Sequence, residues 1–254
     1  MIKLENICKT YNIGSVNETV LFKNLNLSIK KGEFVSVVGS NGSGKTSLLN
    51  IICGSIPVDS GRFLLNQKNI INENEHVRSK FIGRVFQNPQ KGTCKNMTIL
   101  ENLSMADNKG RPFNLTKGIT KRKIEGYKEK LSRLGLGLED KLNVPAGSLS
   151  GGQRQALALL MATMTPIDLL ILDEHTAALD PKTSETIMQL TNEVVEEKKL
   201  TTLMVTHNLK FASLYGNRLL MMHQGEIIID DRDKTIDIPI LLDTFNNISI
   251  ETGN

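Results

Sequence analysis

Phe34-Val35-Ser36-Val37-Val38 runs straight into Gly39-Ser40-Asn41-Gly42-Ser43-Gly44-Lys45-Thr46, and an apolar helical pattern follows at Leu48, Leu49 and Ile52. The first five residues form a short β-branched run, typical of a buried parallel strand. The next eight fit G-x-x-x-x-G-K-[ST], and they lie between a strand and a helix. Each part of that pattern has a task. The glycines let successive backbone N–H groups curl around phosphate oxygens. The following helix points its positive end at them. Lys45 is placed to reach the β- and γ-phosphates, and Thr46 offers its hydroxyl to Mg2+. The plain alternative is a chance Gly-rich turn, which the strand–turn–helix setting disfavours.

Outward from this loop, further strands are expected at Val20–Ile29, Arg62–Leu65, Leu169–Leu172, Thr202–Val205, Arg218–Met222 and Glu226–Ile229. Residues from about 97 to 165 read mostly as helices, and Pro181–Glu197 reads as another, with Asp180 as N-cap and Pro181 in its first position. Alternating strands and helices imply an α/β core with a mostly parallel sheet, interrupted by a helix-rich subdomain. The strand Leu169-Leu170-Ile171-Leu172 ends in Asp173-Glu174. Buried parallel strands expose their C-terminal ends at the ligand crevice. Asp173 is then placed to hold Mg2+, directly or through water, and Glu174 to polarise an attacking water. Two solvated acids at a strand end are the bland alternative, and the phosphate loop tells against it.

The 254 residues suit one large domain or two small ones. No apolar run approaches the roughly 20 residues of a membrane-spanning helix, and the N-terminus has no apolar signal-peptide core. The chain is therefore expected in the cytosol. Cys8, Cys53 and Cys94 are too few and too scattered for a zinc or disulfide framework. Aromatic residues make up 4%, with no Trp, which argues against single-stranded nucleic-acid binding. The net charge of +4 is unevenly spread. Residues 109–133 carry nine basic side chains (Lys109, Arg111, Lys117, Lys121, Arg122, Lys123, Lys128, Lys130, Arg133) against Glu125 and Glu129. The remainder is slightly acidic. A solvated helix face is the plain reading of this window; an acidic membrane surface is the alternative.

Leu149-Ser150-Gly151-Gly152-Gln153 completes the pattern. Ser150 and the N–H groups of Gly151 and Gly152 open a helix, expected over Gln153–Met164, and so make a second anion site. One chain cannot easily bring two such sites to one nucleotide. In its order between the phosphate loop and Asp173-Glu174, this pentapeptide resembles the signature sequence of the ATP-binding cassette (ABC) family. The resemblance covers about residues 2–230. It implies a P-loop NTPase (RecA-like) core with a mostly parallel sheet, an N-terminal antiparallel β subdomain and an inserted α-helical subdomain. In that scheme 1–254 is a single ABC ATPase domain. Residues 1–90 and 166–230 form the nucleotide-binding core with its β subdomain, 91–165 the helical subdomain with the signature, and 231–254 a C-terminal extension.

The resemblance also implies residue roles, with ATP and Mg2+ as ligands. Gly39 to Thr46, with Ser47, would hold the nucleotide phosphates, and Tyr11 would stack on adenine. Gln87, in Val85-Phe86-Gln87-Asn88-Pro89, would contact Mg2+ and the attacking water. Thr46 and Asp173 would complete the metal site, Glu174 would be the base, and His207 would bond the γ-phosphate and orient Glu174. Ser150, Gly151, Gly152 and Gln153 would close on the ATP of a second cassette, with Asp180 crossing the same interface. His175 departs from the proline many cassettes carry there; either the ring alters the pH dependence of hydrolysis or it is simply tolerated. The implied setting is a homodimeric ATPase docked on integral-membrane permease subunits at the cytoplasmic face of the membrane, served by an extracellular substrate-binding protein and contacting no nucleic acid. Import is favoured, of amino acids with aromatic ones among them, since Ala146-Gly147-Ser148 and Asp173 to Asp180 resemble a branch of that kind. An exporter, a lipoprotein-release ATPase and a soluble non-transport ABC ATPase are the alternatives.

Overall fold

The computed structural model describes residues 1–111, 118–236, 239, 240, 243 and 244. Its strands and α-helices run in the order β1 (Ile2–Tyr11), β2 (Thr19–Ile29), β3 (Phe34–Gly39), α1 (Lys45–Cys53), β4 (Ser60–Leu65), β5 (Lys68–Asn69), α2 (Glu75–Arg78) and β6 (Ile82–Val85). The order continues with α3 (Ile99–Asp107), α4 (Lys121–Ser132), α5 (Gly151–Ala162), β7 (Leu169–Asp173), α6 (Pro181–Lys198), β8 (Thr202–Val205), α7 (Leu209–Leu214), β9 (Arg218–His223) and β10 (Glu226–Asp231). Two compact units divide these elements: residues 1–82 with those from 199 onward, and residues 83–198.

The first unit holds an antiparallel sheet in the order β2-β1-β4-β5. It also holds strands in the order β10-β9-β3-β8, where β3 is parallel to both β8 and β9 and β10 is antiparallel to β9. This is the α/β arrangement with an antiparallel β subdomain that the sequence implies. β3 is buried along its whole length, which explains its apolar character; its one polar side chain, Ser36, donates its hydroxyl to the Tyr215 carbonyl (3.2 Å). Val38, Ala212, Leu219 and Met221 form one core cluster, covered by Leu209, Ile229 and Ile236.

The individual strands β1 and β5 were not legible. In β1, Leu4 and Ile7 face the core but stand three residues apart, because Asn6 at φ 51° makes a bulge and shifts the register. The bulge interrupts the two-residue alternation by which a half-buried strand is recognised.

Two arginines brace this unit. Arg78 is almost fully buried and donates from Nη1 to the carbonyls of Ile51 (2.6 Å) and Ile52 (3.1 Å), at the C-terminal end of α1. Cations are favoured there because the last helical carbonyls lack partners. Arg218 makes a bidentate bond to Asp230 (2.7 and 2.8 Å), and donates to the Ser28 carbonyl (2.6 Å) and to Glu33 (3.3 Å).

In the second unit β6 lies beside β7, accompanied by helices α3 to α6. α3 and α5 both begin with a capping box, Thr98 with Glu101 and Ser150 with Gln153. α5 covers 151–162 rather than 153–164. Thr163 bends its hydroxyl back to the Leu159 carbonyl (2.9 Å) and leaves the helical conformation.

The basic window spreads over this unit, with Lys117 outside the described residues. Lys123 pairs with Asp107 (2.8 Å), Lys128 with Glu125 (3.9 Å), and Arg133 with Glu129 (2.9 Å) and Glu197 (3.2 Å). No described helix is long and apolar enough to cross a membrane.

Candidate functional site

The candidate residues fall into two groups, one in each unit. In the first, β3 delivers Gly39 to the start of the phosphate loop at φ 154°. A Cβ here would collide with the Met222 carbonyl oxygen and lie 2.8 Å from Ser43 Oγ. Gly42 (φ 77°) and Gly44 (φ 102°) hold left-handed conformations that glycine adopts without strain. The Ser43 N–H donates to the Ser40 carbonyl (3.2 Å), curling the loop. Its outer side is pinned by the Gly225 N–H, which donates to the Ser43 carbonyl (3.0 Å) from the turn between β9 and β10.

Lys45 opens α1, and its ammonium folds back into the loop. It donates to the carbonyls of Gly39 and Ser40 (2.8 Å each) and to Ser43 Oγ (3.3 Å). The side chain is almost completely buried. A fixed positive charge therefore sits at a helix start whose first turn carries no acidic residue. Backbone donors, a helix dipole and an ammonium converge there, which is the chemistry of an anion site. Thr46 is exposed and Ser47 half-exposed beside it.

His207 belongs to the same unit. Val37 of β3 pairs with Val205 of β8, and the Thr206 N–H donates to the Val37 carbonyl (3.1 Å). Two residues past each, Gly39 and His207 thus leave the strands in register. Tyr11 ends β1, half-buried, with the Lys9 ammonium 5.4 Å from its ring centre.

In the second unit, β7 ends at Asp173, whose Oδ2 accepts from Arg84 Nη2 at 2.6 Å. Both side chains are nearly buried, 13% and 12% exposed. The Arg84 guanidinium also lies over the Phe86 ring, 4.7 Å from its centre. Glu174 follows at φ 47°, an unusual conformation for a non-glycine residue and one that clusters at functional sites. The Ala177 N–H donates to its carbonyl (2.9 Å) and closes the turn.

His175 turns inward. It is wholly buried, and burial pushes its pKa down to about 4. Its Nε2 lies 3.2 Å from Thr191 Oγ1, whose hydroxyl donates to the Ile187 carbonyl (2.7 Å). With that hydroxyl proton committed, Nε2 carries the hydrogen and donates it. The ring is a neutral core group.

The signature segment caps α5. Ser150 Oγ accepts from the Gln153 N–H, and Gln153 Oε1 accepts from the Ser150 N–H, both at 3.3 Å. The glycines serve packing as well: a Cβ on Gly151 would lie 3.0 Å from Leu179, and one on Gly152 would collide with Thr183. Asp180 Oδ1 accepts from the Thr183 N–H (3.0 Å), which caps α6; the Thr183 hydroxyl, and after it this N–H, hold the carboxyl pKa below its usual value.

Three supporting residues escape a reading of the sequence alone. Arg84 is one. Gln155 is another: fully buried on α5, it donates from Nε2 to the Phe86 carbonyl (3.1 Å), at the root of Gln87. Arg154 binds the carbonyls of Ala146, Gly147 and Leu149 (3.0, 2.6 and 3.2 Å) and fixes the turn before the signature. None of them left a local signal: Gln155 follows Gln153 and Arg154 in the polar stretch before the apolar run Ala156–Ala162.

The comparisons with known proteins agree with this chemistry. A family model described as ABC transporter matches residues 22–177. The chain is 47% identical over 234 residues to the tyrosine transport ATP-binding protein of Clostridioides difficile (strain R20291), covering 92% of this chain and 93% of that protein. Its fold resembles the ADP conformation of an ATP-binding cassette of an ABC transporter, with a TM-score of 0.81, 28% identity and coverage of 100% and 99%. It also resembles a dimeric post-hydrolysis cassette bound to ADP and Pi, with a TM-score of 0.76, 32% identity and coverage of 91% and 98%.

Proposed function

The chain belongs to the ABC transporter family, and on that premise we propose that this ATP-hydrolysing subunit energises the uptake of amino acids, aromatic ones among them. Cassettes of this family act as dimers with membrane permease subunits, so the proposed site of action is the cytoplasmic face of the membrane. The observation that carries the reading is the closed phosphate loop, with the Lys45 ammonium held among its carbonyls. The likeness to a tyrosine transport protein supports the substrate class, and uptake further calls for an extracellular binding protein.

The proposed roles follow from side-chain chemistry. The loop 39–47 and Lys45 bind the phosphates of ATP, and Tyr11 stacks on the base. Thr46, Gln87 and Asp173 offer oxygen atoms, the donors Mg2+ prefers. Among the described residues no group of three or more His, Cys, Asp or Glu is arranged to hold a metal. Mg2+ shared between one carboxylate and nucleotide phosphates needs none. The ion supplies charge neutralisation at the phosphates. Glu174 takes the proton of the attacking water, with Gln87 and His207 orienting the reactants. Ser150, Gly151, Gly152, Gln153 and Asp180 act on the ATP held by the second cassette. The functional division follows: a nucleotide-binding core at 1–90 and 166–230, a helical subdomain at 91–165, and an extension from 231.

The test combines transport and chemistry. Vesicles carrying the permease and this subunit should accumulate tyrosine only with ATP; outward transport would overturn the import reading. Glu174→Gln should keep ATP binding, lower hydrolysis by about 10²–10⁴-fold, and accumulate an ATP-bound dimer on size-exclusion chromatography. Normal turnover would mean Glu174 is not the base.

A further inference from the structure

Arg84 is ion-paired with the carboxylate assigned above to Mg2+. It stands three residues before Gln87 and is held on two sides. Its guanidinium contacts Asp173 at 2.6 Å and packs over Phe86 at 4.7 Å. Phe86 is itself fixed through its carbonyl by Gln155 (3.1 Å). Both members of the pair are about seven-eighths buried, so water screens them little. A carboxylate in such a place needs a counter-ion, and losing one partner is costly. Two cations cannot both take the same carboxylate face without repelling each other.

We propose that Arg84 is a positioning residue that competes with Mg2+ for Asp173. The guanidinium keeps the carboxylate compensated and aimed, and it sets how strongly the metal is drawn in. A metal taking over Asp173 releases a cation at the root of the Gln87 segment, which couples metal arrival to that segment. The inference rests on the reading of Asp173 as a metal residue.

The experiment measures equilibrium binding of a non-hydrolysable ATP analogue to the full chain, with EDTA and across a Mg2+ titration. Arg84→Met retains the packing over Phe86 and removes the competitor. The Mg2+ concentration for half-maximal enhancement should fall about tenfold, or about 1.4 kcal/mol. Arg84→Lys, which keeps a charge at shorter reach, should fall in between. If Arg84→Met does not fold, Arg84→Lys decides by the same measure. A half-maximal concentration within twofold of the parent's in the folded variants overturns the proposal. Asp173→Asn separates the two layers. If it leaves the Mg2+ enhancement intact, the metal reading of Asp173 fails. If it abolishes the enhancement while the Arg84 variants match the parent, only the role of Arg84 fails.

Discussion

Burial keeps the His175 imidazole neutral, with a pKa near 4 against about 6.5 for an exposed ring. Between those values the unfolded chain binds a proton that the folded chain refuses. Stability contributed by the neutral ring is therefore complete above about pH 6.5 and is lost as the pH falls toward 4. At pH 5 the loss is ~2 kcal/mol. His175→Asn should remove that slope: urea unfolding of parent and variant, compared at pH 7.5 and pH 5, should differ by this amount in their pH dependence. Equal slopes would place the ring in contact with water. The same burial leaves the ring unable to titrate near neutral pH, so His175 gives Glu174 no pH-dependent partner. That settles at one residue what the sequence left open, since a histidine after a strand looks the same whether it turns in or out.

At the scale of elements, α5 shows what local pattern can and cannot reveal. Ser150 was legible as the opening of the helix, but the first helical residue is Gly151 rather than Gln153, which reaches back to close a capping box with Ser150. Its end was misplaced by two residues, because a threonine hydroxyl bonding backward leaves no apolar signature. Its most consequential contact, Gln155 to the Phe86 carbonyl, joins residues 69 apart and follows from no motif. The Arg84–Asp173 pair was hidden for the same reason. The cap makes a prediction of its own. Ser150→Ala should lower stability by about 1 kcal/mol, read from the urea midpoint. Ser150→Arg should leave ATP binding at the loop intact while blocking turnover; unchanged turnover would rule out action across the dimer.

Over the whole molecule, the α/β core and the phosphate loop were legible because each rests on short contiguous patterns, a buried strand and a spaced set of glycines. β1 was less so, because one bulged asparagine breaks the alternation. Arg218 shows stability that depends on distant partners: Ser28, Glu33 and Asp230 are drawn from both ends of the sequence. Arg218→Met leaves the nearly buried Glu33 without this counter-charge, while Asp230 is 38% exposed and keeps Arg232 (3.5 Å), so the cost is about 3 kcal/mol, the low end for a broken buried pair. Thermal unfolding should fall by ~10 °C for a chain of this size; a shift of one or two degrees would show that water already screens the cluster.

The turn that pins the loop from outside carries a wider consequence. A Cβ on Gly225 would run into the Leu21 carbonyl, just as one on Gly39 would meet that of Met222. Gly225 stands some 180 positions from the motif it supports. A change there would look, on a linear map, like a neutral substitution in a distant hairpin. It would instead act as a lesion of the nucleotide site, so the inherited unit that must be kept intact for ATP binding is discontinuous and reaches nearly to the end of the described chain.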